Sequence, residues 1–162
     1  MTHYAMSAAA RLPRAAVDRP VSAERALLLV HDMHDPHRVA EPVEHSPVAE
    51  LAHNVGKLCD TCRDLRVPVL HSTGGLDFGA LRELLDRDGR DQLLVTGYRA
   101  HAACLMAAAG PLLAGVSVYC VADAVADVSL DDHQAAVRAA ADHGATPTTT
   151  GRVIGQLLGV LP

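Results

Sequence analysis

The sequence predicts an α/β fold in which a doubly wound parallel sheet is covered by helices on both faces. Short apolar runs alternate with longer segments whose apolar residues recur every three or four positions, as in strands and amphipathic helices. The apolar 49% of the chain includes no Trp and one Phe, so its core must consist mainly of Ala, Val and Leu. Such side chains suit strands buried on both faces. A length of 162 residues is enough for a single domain, which we assign to 25–162.

The first four predicted strands are apolar runs, and the fifth is a short threonine-rich run. The first, Ala-Leu-Leu-Leu-Val, ends abruptly at His31 and Asp32. This ending indicates a buried strand that delivers polar side chains to its carboxyl end. The predicted strands are 26–30, 67–70, 92–96, 116–121 and 146–150.

The predicted helices begin and end at characteristic residues. Ser46 and Pro47 supply an N-cap and a first-turn proline, and Ser129-x-x-Asp132 is a variant of the capping box. Gly144 suits the carboxyl end of the helix that precedes it. The predicted helices are 47–65, 77–88, 101–113, 130–143 and 151–159.

Charge and hydropathy argue against several classes of protein. The formal charge of −5 and the pI near 6.0 argue against a nucleic-acid partner, because such proteins usually present a clustered basic face. No segment approaches the roughly 20 apolar residues of a membrane span, and no secretory signal is recognisable near the N-terminus. We therefore expect a cytoplasmic protein without a membrane partner. Residues 1–24 are expected to form an arm that is packed on the domain or partly disordered.

Polar side chains follow the predicted strands at the edge where a doubly wound sheet binds its ligands, beyond the carboxyl ends of the strands. The first strand ends at His31 and Asp32, the second at His71, and the third in the turn 97–104. A carboxylate at the end of a buried strand is partly desolvated, which suits it to proton transfer. Position alone is equally compatible with Asp32 capping a helix or ordering the next loop.

Three segments of the chain resemble motifs of one enzyme family, in the same order. Arg25-Ala-Leu-Leu-Leu-Val-His-Asp-Met33 resembles the opening "RAxLLVHDMQ" of bacterial isochorismatases. The segment 89–104 resembles their "GRxQLxxTGVYAHIGC", and the segment 121–133 resembles their "VADAxADFSxxEH". On these motifs the chain is identified as a shortened member of the isochorismatase-like hydrolases, a group within the cysteine hydrolase superfamily.

The resemblance implies a strand order. The family sheet has the order 3-2-1-4-5-6, and its edge strand carries the motif "KWRYSAF" with a catalytic lysine. This chain runs from the predicted strand 67–70 almost directly into the helix before the second motif, and its only lysine is Lys57. Removal of the edge strand predicts five parallel strands in the order 2-1-3-4-5. The strand left at the edge should be short, covered by the N-terminal arm or paired in a dimer, because exposed edges favour aggregation.

The resemblance also implies a chemistry. Isochorismatases hydrolyse a vinyl ether and release pyruvate, and the aspartate that matches Asp32 protonates the enol ether. Related nicotinamidases and amidases use a cysteine at the position of Ala103, whereas Cys104 lies one residue later. Covalent thiol catalysis is therefore not expected here.

The candidate site residues come from the strand ends and from the matched motifs. Arg99 is singled out because an arginine in a crevice requires an anion. Asp123 and Asp127 are expected only to cap and order the turn after the fourth strand. The predicted catalytic residues are Asp32, Arg99 and His101, and the predicted substrate-binding residues are His31, His34, Tyr98, Ala103, Cys104 and His71.

Two patterns could suggest a metal, and we expect neither to bind one. Cys59-x-x-Cys62 lies in a predicted helix without a second pair at zinc-finger spacing, so its cysteines are better explained as core residues. His31-x-x-His34-x-x-His37 lies mostly in a predicted loop, and His31 belongs to a motif that has no metal role in the family. No cofactor is expected.

These observations lead to two hypotheses of different classes. The first is a homo-oligomeric enzyme that acts on a small cyclic or polyketide-like metabolite through proton transfer by Asp32. The reaction would be a hydrolysis or, without the lysine, a cyclisation, dehydration or rearrangement in secondary-metabolite biosynthesis. The second is a non-catalytic binding or assembly subunit with the same fold.

Overall fold

Over residues 4–5, 12–13, 19–33 and 47–162, which are the residues it describes, the computed structural model contains one sheet of five parallel strands. The order is β2-β1-β3-β4-β5, so the predicted fold class and strand order are confirmed. The edge strand β2 has four residues, short as expected of an exposed edge. The strands are β1 (Ala26–His31), β2 (Val69–Ser72), β3 (Gln92–Tyr98), β4 (Ser117–Ala126) and β5 (Thr146–Thr148).

Helices cover both faces of the sheet, which gives three layers and two apolar cores. Helices α1 and α5 pack on the face that includes Leu28 and Val30. Helices α2, α3 and α4 pack on the opposite face, against Leu27 and Leu29. No helix of the described residues is long and apolar enough to span a bilayer. The helices are α1 (Pro47–Asp64), α2 (Phe78–Arg87), α3 (His101–Ala108), α4 (Leu130–Asp142) and α5 (Thr150–Leu157), with a 3₁₀ turn at Gly110–Leu113.

Most predicted bounds differ from the observed ones by two residues or fewer, but two were wrong by five residues, and the structure gives the reasons. The predicted helix 101–113 stops at Ala108, because Gly110 adopts a positive φ of 53° and the chain continues through Pro111 as a 3₁₀ turn. The fourth strand was expected to end at residue 121 but runs to Ala126, with a register shift opposite the segment 95–97.

Asp123 therefore lies inside β4 and not in the turn after it. Its Oδ1 accepts hydrogen bonds from the backbone N–H of Thr150 at 2.7 Å and from the Thr150 hydroxyl at 2.8 Å. The carboxylate thus holds the first turn of α5, where backbone N–H groups lack partners within the helix. Asp123 therefore has a capping role, but it caps α5 and does not order the turn after β4.

The polar residues of the second matched motif fasten the chain before β1 to the amino end of the sheet. Arg25 and Asp91 form a two-point ion pair at 2.7 and 2.8 Å. The fully buried Gln92 accepts from the Ser22 N–H and donates to the Pro20 carbonyl. Removing a partner of Gln92 would leave its buried amide group unpaired, so this part of the motif is structural.

Gly97 lets β3 approach the end of β1. It is paired with His31 in the parallel ladder and has a φ of 111°. A Cβ placed on Gly97 would lie 2.0 Å from the His31 carbonyl oxygen and 2.7 Å from its nitrogen. Because both atoms are backbone, they cannot move aside as a flexible side chain would.

Replacement of this glycine should therefore destabilise the fold. We expect Gly97→Ala to lower the free energy of unfolding by roughly 3 kcal/mol or more, since φ strain and overpacking each cost on the order of 1–3 kcal/mol. The measurement is urea denaturation followed by circular dichroism. Gly151→Ala is the matched control, because its Cβ would meet nothing within 4 Å and its φ is not positive. Equal midpoints for the two variants would contradict the proposed contact.

Candidate active site

Asp32 is the first residue after β1, and the backbone around it is held in one arrangement. It adopts a left-handed φ of 53°, and its N–H donates to the Ser72 carbonyl at 2.8 Å. Its Oδ1 accepts a hydrogen bond from the Gly74 N–H at 2.8 Å. The side chain is 22% exposed. The carboxylate is thus fixed through one oxygen and remains accessible to solvent.

Two basic side chains approach the second oxygen of Asp32. The Arg99 Nε lies 3.6 Å from Oδ2, and the His31 Nε2 lies 3.5 Å from the same atom. Arg99 also has a positive φ, of 62°, and its side chain is 67% exposed. The turn after β3 therefore places the long side chain of Arg99 beside the fixed Asp32 carboxylate. From there the guanidinium can also reach a bound anion.

His31 is the buried member of this group. Its Nδ1 lies 2.9 Å from the Ser72 Oγ, across the ladder between β1 and β2. Burial lowers the pKa of His31; the Asp32 carboxylate opposes this effect, and the positive charge of Arg99 adds to it. The ring is therefore neutral at pH 7 and has one N–H and one acceptor nitrogen.

His101 faces a second carboxylate on the same edge of the sheet. Its Nδ1 lies 3.8 Å from the Asp127 Oδ2, and the His101 side chain is 55% exposed. Asp127, which directly follows β4, was expected only to order the turn. It has that role, since its Oδ1 accepts from the Val128 N–H at 2.8 Å, and it also faces His101.

Tyr4 supports this wall of the crevice from the N-terminal segment. The Nε2–H of the buried His133 donates to the Ala122 carbonyl at 2.8 Å, so its Nδ1 accepts from the Tyr4 hydroxyl at 2.9 Å. The Asp127 N–H in turn donates to the Tyr4 oxygen at 3.1 Å. No sequence pattern pointed to Tyr4, because a single tyrosine in an irregular segment carries no periodicity.

The remaining predicted residues are not all brought to Asp32. Tyr98 is half-buried at the end of β3, and burial raises the pKa of its hydroxyl. His71 is exposed, and it pairs with Val30, one position away from the pair formed by His31 and Ser72. Since side chains alternate along a strand, His71 points to the other face of the sheet. His34 and the side chains of Ala103 and Cys104 lie outside the described residues.

The described residues contain no cluster suited to a metal ion. Within 4–5, 12–13, 19–33 and 47–162, no three His, Cys, Asp or Glu residues are placed to hold a metal ion. His34 and His37, which belong to the pattern His31-x-x-His34-x-x-His37, lie outside the described residues.

A cavity of about 400 Å³ lies at the amino end of the sheet, lined by residues that include Ser117, Tyr119 and His143. This cavity therefore lies at the opposite end of the strands from Asp32, which follows the carboxyl end of β1.

Comparison with known proteins identifies the family. The family model described as the isochorismatase domain matches residues 78–152. The isochorismatase of Bacillus subtilis is 29% identical over 202 residues, which cover 95% of this chain and 65% of that protein. This chain belongs to the isochorismatase-like hydrolase family. Enterobactin synthase component B of Escherichia coli K12 is 25% identical over 179 residues, covering 80% of this chain and 62% of that protein.

The structural comparison agrees on the fold. The YcaC gene product of Escherichia coli, described as an octameric hydrolase of unknown specificity, superposes with a TM-score of 0.68 at 15% identity. The match covers 88% of this chain and 84% of that one. By contrast, this chain spans less than two thirds of the length of the two sequence relatives.

The buried histidines predict how stability depends on pH. Burial lowers the pKa of both His31 and His133 in the folded state, whereas both return to near 6.5 on unfolding. The unfolded chain therefore binds more protons below pH 6.5, and stability is lost as the pH falls through that value. We expect the free energy of unfolding, measured by urea titration, to decrease from pH 7 to pH 5.

Substitution separates this effect from general acid lability. His133→Asn should reduce the slope of stability against pH, whatever its effect on stability at pH 7. The control His53→Gln removes an exposed histidine of α1 and should preserve the slope. A slope unchanged in His133→Asn would show that His133 titrates alike in both states.

Proposed function

We propose that this protein is an isochorismatase-like enzyme in which Asp32 transfers a proton to a small cyclic or polyketide-like metabolite. The observation that carries the proposal is the Asp32 carboxylate, fixed through Oδ1 by the Gly74 N–H and approached at Oδ2 by Arg99. A fixed carboxyl group at the carboxyl end of a central strand can deliver a proton in a defined direction. The reaction is a hydrolysis or a cyclisation, dehydration or rearrangement in secondary-metabolite biosynthesis.

Arg99 takes the place of the lysine that the family carries on its additional edge strand. The only lysine of this chain, Lys57, lies in α1, and the short connection between β2 and α2 brings the Gly74 N–H to Asp32 instead. The Arg99 guanidinium at 3.6 Å favours the ionised form of Asp32 after the proton has left. It also offers a fork that can bind one carboxylate or enolate of the substrate.

The supply of positive charge limits the substrate. Isochorismate carries two carboxylates, and Arg99 is the only Arg or Lys in the turn 97–104. One guanidinium can pair with one carboxylate while it balances Asp32, and the turn 97–104 offers no second Arg or Lys for the other carboxylate. We therefore propose a substrate that is less charged and more apolar than isochorismate.

The protein is proposed to act in the cytoplasm as a homo-oligomer, without a cofactor and without a covalent thiol intermediate. Oligomer formation is supported by the octameric state given for the structurally similar YcaC protein. It is also supported by large apolar side chains that are exposed in this chain, among them Leu105 at 52% and Leu112 at 57%.

The role of Asp32 can be tested once a substrate has been found by screening cyclic enol ethers, lactones and related metabolites. We expect Asp32→Asn to lower kcat/KM by about 10²–10⁴-fold, because it keeps the shape of the side chain and removes the transferable proton. Asp60→Asn, at an exposed aspartate of α1, is the control, and Cys104→Ser should also change activity little. Activity of Asp32→Asn within a few fold of wild type would remove Asp32 from the mechanism. Absence of turnover on every class would favour the non-catalytic subunit.

The substrate limit can be tested with isochorismate itself, with pyruvate release as the measurement. We expect turnover at least about a hundredfold slower than that of the Bacillus subtilis isochorismatase assayed in parallel, since an unpaired buried carboxylate costs several kcal/mol. For the metabolite found by screening, Arg99→Ala should raise KM, and Arg99→Lys should restore part of the loss. Efficient turnover of isochorismate would show that another residue supplies the second cation.

A further inference from the structure

Ser72, His31 and Asp32 form a continuous Ser–His–Asp series, of which the proposed proton transfer uses only Asp32. The Ser72 Oγ lies 2.9 Å from the His31 Nδ1, and the His31 Nε2 lies 3.5 Å from the Asp32 Oδ2. The series is built by the fold, because His31 and Ser72 are direct partners in the β1–β2 ladder. The Asp32 N–H donates to the Ser72 carbonyl, which fixes the backbone of all three residues together.

The protonation of the ring follows from its two neighbours. Burial keeps His31 neutral at pH 7, so one of its nitrogens carries a proton and the other accepts. An ionised Asp32 can only accept, which favours the proton on Nε2. The Nδ1 then accepts from the Ser72 hydroxyl, so the hydroxyl proton is directed at a base.

We propose that Ser72 is a nucleophile for acyl transfer from carboxylic esters, with His31 as its general base and Asp32 orienting the ring. A nucleophile, a base within hydrogen-bond reach and a third group behind the base are the parts that this chemistry requires. The two ring nitrogens are exchanged relative to the usual serine hydrolase arrangement, but either can relay a proton. Because Ala103 occupies the position that matches the thiol of the related amidases, covalent catalysis in this chain would depend on a nucleophile from a different element, the strand β2.

The reaction is balanced without any further reagent except water. The Ser72 Oγ attacks the ester carbonyl carbon while its proton moves to the His31 Nδ1. The bond between the carbonyl carbon and the leaving oxygen then breaks, and the alcohol leaves with that proton. Water repeats the sequence on the acyl-serine and releases the carboxylic acid. The Arg99 guanidinium, whose Nε lies 3.6 Å from the Asp32 Oδ2, is the cation that we propose to stabilise the developing oxyanion.

The simplest alternative is that the hydroxyl only satisfies a buried histidine across the ladder. Ser72 is half-buried, and it is the last residue of its strand, beside the turn that begins at Thr73. A purely structural hydroxyl at this position would not react with an electrophile, whereas an activated one would. Covalent labelling therefore separates the two roles without knowledge of the natural substrate.

The experiment uses p-nitrophenyl acetate for turnover and a fluorophosphonate for labelling, with the labelled residue located by mass spectrometry. We expect the label on Ser72, and we expect Ser72→Ala and His31→Asn each to lower kcat/KM for the ester by at least about a hundredfold. The control Ser117→Ala alters a serine at the amino end of the sheet and should leave both readouts unchanged. If Ser72→Ala fails to fold, Ser72→Cys keeps a nucleophile at this position and should yield an acetyl adduct on that residue.

Absence of a label on Ser72, or a label on another residue, would overturn this inference. Ester turnover that persists in a folded Ser72→Ala protein would do the same. Neither outcome affects the proposed proton transfer by Asp32, which is judged on the screened metabolite with Asp32→Asn. The two proposals can therefore fail separately.

Discussion

The contact between Gly97 and the backbone of His31 governs the carboxyl edge of this sheet. The two central strands β1 and β3 can stay paired up to their last residues only because residue 97 has no Cβ. Just beyond this contact the backbone turns sharply after each strand, through left-handed conformations at Asp32 and at Arg99. Non-glycine residues seldom adopt this conformation, and it costs of order 1 kcal/mol or more at each position. The hydrogen bonds between β1 and β3 stabilise these strained turns. The turns in turn bring the Asp32 carboxylate and the Arg99 guanidinium together.

The short connection between β2 and α2 itself contributes a group that binds Asp32. Where the family inserts a further strand, this chain forms a turn, and the Gly74 N–H of that turn binds the Asp32 carboxylate. A backbone donor stabilises negative charge without adding a formal charge, so Arg99 remains the principal cation of the turn 97–104. Loss of an edge strand removes one layer of ladder hydrogen bonds but leaves both apolar cores in place, since each core is built on the central strands.

The sequence was most informative where a pattern reflects a physical requirement of the backbone. Apolar runs predicted four of the five strands, because burial on both faces of a sheet determines composition, and a threonine-rich run predicted the fifth. The same reasoning placed Asp32 and Arg99 at one edge, and the structure brings them within 3.6 Å. It could not predict that β4 continues through Asp123, because the register shift that permits this depends on the neighbouring strand. Nor could it predict the contacts of Tyr4 or the Ser72–His31 bond, which join segments through tertiary packing and have no local signature.

Asp32 connects the two proposed chemistries through its protonation state. A protonated Asp32 is a donor, as the protonation of an enol ether requires, and without its negative charge it accepts the His31 Nε2–H more weakly. An ionised Asp32 cannot donate, but it then fixes the tautomer in which the Ser72 hydroxyl faces a base. The two reactions thus draw on mutually exclusive states of one carboxyl group. A substrate that brings an anion to Arg99 weakens the support of that guanidinium for ionised Asp32 and favours the donor state. A neutral ester does not compete for Arg99 before it reacts, so we expect the charge of the ligand to select between the two proposed reactions.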